Sequence, residues 1–315
     1  MAQVASRAAL RPHPENGQCR RKPRLQLWRN AAWTLLFLTP YMIGFVVFVG
    51  GPIVAVLGLS FTKWDILTRP VWVGVDNYRS LLFDDPLFIT SLGNTMRYIV
   101  LVVPAEIIIA FLLALLVNQR LRAITLFRSI FFMPFVLSLA AVGLLWTWLY
   151  SADFGLVGFV LNQLHVQAPI WLNDPTWAMP AVSLTTIWRN VGYYMVIFMA
   201  GLQSISNELY EAASLDGAGS LRKLRHVTIP LISPTTFFVL VISIIWAFQV
   251  FDLTYIMTRG GPGSSTVTLV YYLYDMGFRW FKMGMASSLA TVLFIATLIV
   301  TIVQFSLQAR WVHYS

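Results

Sequence analysis

Between Asn30 and Thr62 the sequence carries no charged side chain. An apolar run of that length is enough to cross a hydrocarbon layer of ~30 Å. The run therefore reads as a membrane-spanning helix. The pattern recurs at 98–118, 129–150, 177–202, 234–257 and 286–308. With 33–59 these predict six transmembrane helices in an all-α polytopic membrane protein. Composition agrees, with 58% hydrophobic residues, 11% charged and a mean hydropathy of +0.71; soluble domains carry about 25% charged residues.

Residues 1–32 read as a disordered basic tail, 33–308 as the membrane domain and 309–315 as a second tail. A signal peptide is the alternative for the N-terminal region. The first apolar run is far longer than a ~7–15-residue signal core, and no small-residue cleavage site follows it. A retained first helix fits better. With the N-terminus inside, the cytoplasmic segments hold fourteen Lys and Arg and the outer segments seven, Arg189 lying within a span. That bias places both termini and the 203–233 loop in the cytoplasm. It also accounts for the net charge of +9, so membrane lipid rather than nucleic acid is the expected contact. Cys19 is the single cysteine and the four histidines are scattered. No metal site is expected, and no disulfide within the chain. No glycine precedes a lysine, so the chain lacks a phosphate-binding loop of the GxxxxGK[ST] type and no ATPase site of its own is expected.

The polar stretch from Asn207 to Ala218 stands out in this apolar background. Ser206 and Asn207 suit an N-cap, and Glu208 and Glu211 suit a first turn. Leu209, Ala212, Ala213 and Asp216 recur at helical spacing, and Gly217 suits the helix stop. The alanines leave a small face that either packs on the chain itself or admits a partner. Ser220 suits the cap of a second helix. Leu221, Leu224 and Val227 fall on one face of it, with Arg222, Lys223, Arg225 and His226 on the other, as in helices lying at headgroup level. Pro230 and Pro234 then break the chain before the fifth span.

These residues carry a resemblance. Glu211-Ala212-Ala213, Asp216-Gly217-Ala218 and Ile229-Pro230 resemble the EAA loop of ABC-importer permeases. Its signature runs Glu-Ala-Ala, three residues, Gly, nine residues, Ile, one residue, Leu-Pro. Val227 replaces the isoleucine and Ile229 the leucine. Ser60-Phe61-Thr62-Lys63-Trp64-Asp65, Val73-Gly74-Val75-Asp76-Asn77-Tyr78, Ala200-Gly201-Leu202-Gln203, and Phe251-Asp252 through Thr258-Arg259-Gly260-Gly261-Pro262-Gly263 look like the carbohydrate-uptake branch, the maltose and glycerol-3-phosphate type. The resemblance implies a type I importer permease in the inner (cytoplasmic) membrane, moving a sugar by alternating access. It implies two cytoplasmic ATPase subunits that use the ATP, a second permease chain, usually different, and an extracytoplasmic substrate-binding protein. It implies no cofactor on this chain. Glu211 would contact the ATPase, Ala212 and Ala213 would allow close approach, and Gly217 would make the turn. Leu209, Tyr210, Asp216, Ala218 and Pro230 complete this coupling loop.

Ionisable groups deep in a span cost at least ~2.5–3.5 kcal/mol and so face protein or water. Glu106 and Arg189 stand well inside spans two and four, and Asp252 near the outer end of span five. One reading pairs Glu106 with Arg189 structurally. The other makes them a cavity wall, with Asn190, Tyr193, Tyr194, Gln249 and Asp252, that binds sugar hydroxyls. Many Trp and Tyr residues lie near span ends, where interfacial belts explain them. Two other classes remain in view: an ion-gradient-driven secondary transporter using Glu106 and Asp252, and an intramembrane enzyme. The enzyme needs a nucleophile–base or metal cluster, and none is apparent.

Overall fold

The computed structural model describes residues 24–119, 124–152 and 154–312, with side chains from residue 33 onward. Residues 1–23 of the predicted tail lie outside this range. The rest of that tail, from Arg24, is helical rather than disordered, since its Arg, Leu and Gln are good helix formers. The described residues fall into two compact units, divided between Val54 and Ala55.

In the first unit, α1 (Arg24–Phe45) runs into a π-helical turn at Val46–Gly50. α2 (Gly51–Leu59) follows and carries the chain into the next unit. Pro52 has no N–H to give the helix ladder, and the turn just before it absorbs the mismatch: the Gly51 N–H reaches back to the Val46 carbonyl. Trp33–Leu59 is the first candidate span, at the predicted bounds.

The second unit opens with β1 (Thr62–Lys63) paired antiparallel to β2 (Val71–Trp72). In the loop between them the Thr68 hydroxyl and N–H both donate to Asp65 Oδ1, at 2.6 and 2.9 Å, and hold its carboxyl below the usual range. α3 (Asp76–Arg79) follows, and the Asn77 amide donates to the Ser60 and Thr62 carbonyls.

α4 (Pro86–Val117) starts twelve residues before the predicted 98. Its start is set by a cap rather than by hydropathy. Asp85 accepts from the N–H groups of Leu87 (3.0 Å) and Phe88 (3.3 Å), with Pro86 at the first helical position. The Tyr272 hydroxyl donates to the other oxygen of the same carboxylate. Asp85→Ala removes both the cap and the acceptor of the hydroxyl of a buried tyrosine. A cap is worth ~1 kcal/mol and a hydrogen bond to a charged group ~1.5–3 kcal/mol. We expect a stability loss of about 2–4 kcal/mol by thermal unfolding in detergent, against a smaller loss for Tyr272→Phe, which leaves the cap.

The predicted third span is two helices, α5 (Ile124–Val136) and α6 (Leu139–Leu149), bent by 98°. Pro134 weakens the end of α5, and Ser138 caps α6 by accepting from the Ala141 N–H. α7 (Leu156–Gln163) lies in the connection to α8 (Ala178–Gln203), which runs close to its predicted bounds. α9 (Asn207–Leu215), α10 (Ser220–Lys223) and α11 (Ile229–Leu231) occupy the predicted loop. α12 (Ser233–Phe248) stops well short of the predicted 257, and a π-helical turn covers Thr254–Thr258. α13 (Leu269–Tyr274) continues into another π-helical turn at Asp275–Arg279, and α14 (Met283–Gln308) closes the bundle.

Among the described residues three helices are long and apolar enough to cross a membrane, or five if each bent pair is one span. α8 is not among them because it is rich in polar groups. Ser183, Thr185 and Thr186 are buried there and donate to carbonyls of their own helix. α8 is the central element. α4 packs along it, Ala110 and Ala114 clustering with Tyr194 and Phe198. α5 comes so close at Gly192 that a Cβ there would overlap the Phe131 carbonyl oxygen. Between apolar helices in lipid, close packing at small residues supplies the attraction that water exclusion supplies elsewhere.

Candidate functional site

Two features of the second unit gather the polar residues. The first is a cavity of about 360 Å³ between α8, the α5–α6 bend and the end of α12. Arg189 and Asn190 on α8 line it, together with Gln249 and Asp252 beyond α12. Helix α12 ends at Phe248, so Gln249 to Phe251 present irregular backbone to this space. Irregular backbone in an apolar segment is tolerated where it lines a cavity. The Thr268 hydroxyl takes up the Val250 carbonyl at 2.8 Å.

The sequence reading missed Tyr98, Phe135, Thr186 and Trp246, which also line the cavity. Tyr98 donates to Thr186 at 2.8 Å. Phe135 follows Pro134 at the α5–α6 bend, and Trp246 lies one turn before Gln249 on α12; those two positions were the available signals. Tyr193 does not line the cavity. It stacks on Phe135 at 4.5 Å between ring centres and tilts against Trp246 at 5.3 Å, so it backs the wall. Tyr194 is fully buried against α4.

The predicted pairing of Glu106 with Arg189 does not form. Adjacent residues on a helix point about 100° apart, and here Asn190 faces α4 while Arg189 faces α5. The guanidinium donates to Asn190 Oδ1 (2.9 Å) and to the Phe135 carbonyl (3.1 Å), and its centre lies 4.9 Å from the Phe135 ring centroid. Glu106 is 1% exposed and accepts from Asn190 Nδ2 at 2.9 Å and the Ser243 hydroxyl at 3.0 Å. It lies behind the wall, not in it.

The second feature is an elbow. Ser206 caps α9, its hydroxyl accepting from the Glu208 N–H. Glu208 falls in the first turn, whereas Glu211 falls in the second, exposed. The helix ends at Gly217, with φ +75°, where glycine has no Cβ penalty. The Gly217 N–H reaches the Ser214 carbonyl and the Ala218 N–H the Ala213 carbonyl, the paired closure of a Schellman end. Gly219, not Ser220, caps α10. Leu224 and Val227 are half-buried as expected of an inner face, but Leu221 is 79% exposed. Lys223 donates to Ser214 at 2.6 Å, and the Tyr210 and Thr228 hydroxyls meet at 3.0 Å. These bonds fix α9 against the basic segment while Leu209, Glu211, Ala212 and Leu215 stay exposed.

A cavity holding charged and amide groups inside a bundle of apolar helices suits a membrane transport subunit, and solved structures of that kind share the fold. Among them is a bacterial ABC transporter involved in the import of the acidic polysaccharide alginate, with TM-score 0.79 and 24% identity over 91% of this chain and 99% of that one. A bacterial alginate ABC transporter in complex with a periplasmic protein bound to alginate pentasaccharide matches with TM-score 0.80 and 23% identity. The chain belongs to the family of binding-protein-dependent transport system inner membrane components, whose model matches residues 106–313. The sulfoquinovosyl glycerol transport system permease SmoG of Agrobacterium fabrum is 34% identical over 89% of this chain and 92% of its own length. The lactose permease LacF of Rhizobium radiobacter is 36% identical over 86% and 91%. The probable permease YesP of Bacillus subtilis is 34% identical over 88% and 91%. The resemblance to the carbohydrate-uptake branch therefore holds across nearly the whole chain.

Proposed function

We propose that this chain is the transmembrane permease subunit of a binding-protein-dependent ABC importer that brings a sugar or sugar derivative across the cytoplasmic membrane. Its six spans would place both termini inside, and the 203–233 loop would couple it to two ATPase subunits. A second permease chain would complete the pore, and an extracytoplasmic binding protein would deliver the sugar. The observation that carries this reading is the elbow. α9 is capped, stopped and hydrogen-bonded into a projection, and its exposed side is covered by none of the described residues. A helix built that way suits insertion into a partner's groove. The cavity supports the sugar: guanidinium, amide and carboxylate groups lie beside the Phe135 and Trp246 rings, and such sites bind hydroxyls and apolar ring faces together.

The test is reconstitution of the chain with its partner permease and ATPase subunits in vesicles. A panel of sugar-loaded binding proteins is then added outside. ATP hydrolysis and sugar uptake stimulated by one loaded binding protein are expected. Uptake by this chain alone, abolished by an ionophore and indifferent to ATP, would instead establish the secondary transporter.

A further inference from the structure

Glu106 is the most deeply buried charged residue described, and the cavity does not touch it. The geometry points to a positioning role: Glu106 orients the Arg189 guanidinium in the cavity through the amide of Asn190. This rests on the permease reading only for its consequence in transport; the linkage itself is a matter of donors and acceptors.

Arg189 has donors and no acceptor, so the atom of Asn190 that faces it must be Oδ1. That choice turns Nδ2 the other way, toward α4. There it needs an acceptor, because an unpaired buried amide N–H is costly. Glu106 Oε1 supplies it at 2.9 Å. The carboxyl cannot swing away, since Oε2 accepts from Ser243 on α12 at 3.0 Å. The relay thus runs from α12 through α4 to two adjacent residues of α8. It fixes one terminal nitrogen of Arg189, and the Phe135 carbonyl fixes the other. The remaining N–H groups of the guanidinium have no acceptor among the described residues.

Two variants of equal charge separate positioning from charge. In Glu106→Gln, the side-chain oxygen still accepts from Asn190 and its NH2 can donate to the Ser243 oxygen, so the relay survives. In Glu106→Leu it does not. Asn190 Nδ2 loses its acceptor, the amide can turn, and Arg189 loses its own.

The readout uses no transported ligand. Cys19, the one cysteine of the sequence, is replaced by Ser, and Gln249→Cys places a thiol on the cavity wall. In the assembled full-length complex, the thiol is modified with an anionic and a cationic methanethiosulfonate reagent, and the ratio of the two rates is taken. A guanidinium held at the wall raises this ratio by on the order of tenfold over the same cavity without it, the Asp252 carboxylate being common to every variant. Glu106→Gln is expected to lie several-fold above Glu106→Leu in this ratio, and that gap is expected to close in an Arg189→Gln background. Equal ratios for the two variants, or a gap that persists without Arg189, overturn the positioning role. If Glu106→Leu does not assemble, Asn190→Ala cuts the same link with a smaller change. It is expected to lower the ratio part of the way toward that of Arg189→Gln, since the Phe135 carbonyl still holds the other nitrogen, and an unaltered ratio overturns the proposal. A complex that passes this test but takes up no sugar refutes the permease reading alone.

Discussion

Glu211→Lys combined with Gly217→Arg will reduce ATP-driven uptake at least about 100-fold and release the ATPase subunits from the purified complex, while the chain keeps most of its own stability. Glu211 is exposed and makes no bond within the chain that holds the elbow together. A Cβ at Gly217 would meet nothing within 4 Å. The local penalty is then the left-handed backbone at φ +75°, about 1–2 kcal/mol for a residue with a side chain. A partner groove sees far more: a reversed charge and a long side chain at the end of the inserted helix. Losses of ~2–4 kcal/mol are usual for central contacts of an interface, and 2.8 kcal/mol corresponds to about 100-fold in affinity. Co-purification, ATPase activity and thermal unfolding are measured on the same preparation. If the double variant stays folded, still holds its ATPases and transports, the elbow is not the coupling element. Leu215→Asp gives an independent arm, because Leu215 is 90% exposed and its removal costs the fold little.

The sequence made the apolar helices legible because membrane spans are read from length and hydropathy alone. It concealed their interruptions. Residues 129–150 carry no charged side chain and stay apolar on average, so hydropathy does not reveal the bend between Val136 and Leu139; Pro134 and Ser138 set it through a weakened helix end and a cap. The early stop of α12 at Phe248 is hidden in the same way. Conversely, α4 begins twelve residues early because Asp85 caps it, although Asn94 and Arg97 make that stretch polar. Site residues followed a similar rule. Arg189, Asn190, Gln249 and Asp252 were visible as rare polar groups in apolar runs, and all four line the cavity. Phe135 and Trp246 were invisible because aromatics are common in such helices. Glu106 looked like a wall residue and proved to lie behind it, since depth in a span does not reveal which neighbour a side chain faces.

The packing that sets the cavity is itself open to a direct test at Gly192, where Val is expected to be among the most damaging single substitutions in the chain. Gly192 is buried on α8, and a Cβ there would overlap the backbone carbonyl of Phe131, with the Phe132 Cα also within reach. A flexible side chain could turn aside; a backbone carbonyl committed to its helix cannot. The cost should therefore exceed the ~1–3 kcal/mol of ordinary overpacking. To relieve the overlap α5 must move outward, and Phe135 lies one turn further along α5 on the same face. Arg189 would then lose both the Phe135 carbonyl at 3.1 Å and the ring beneath it. Gly192→Val is thus expected to lower the unfolding temperature and sugar uptake together. Gly93 provides the comparison. It sits on α4 with nothing within 4 Å of a built Cβ, so Gly93→Ala should be neutral or gain the ~0.5–1 kcal/mol that alanine brings to a helix. Should Gly192→Val prove as stable as Gly93→Ala, α5 does not approach α8 as described, and the wall that carries Phe135 into the cavity goes with it.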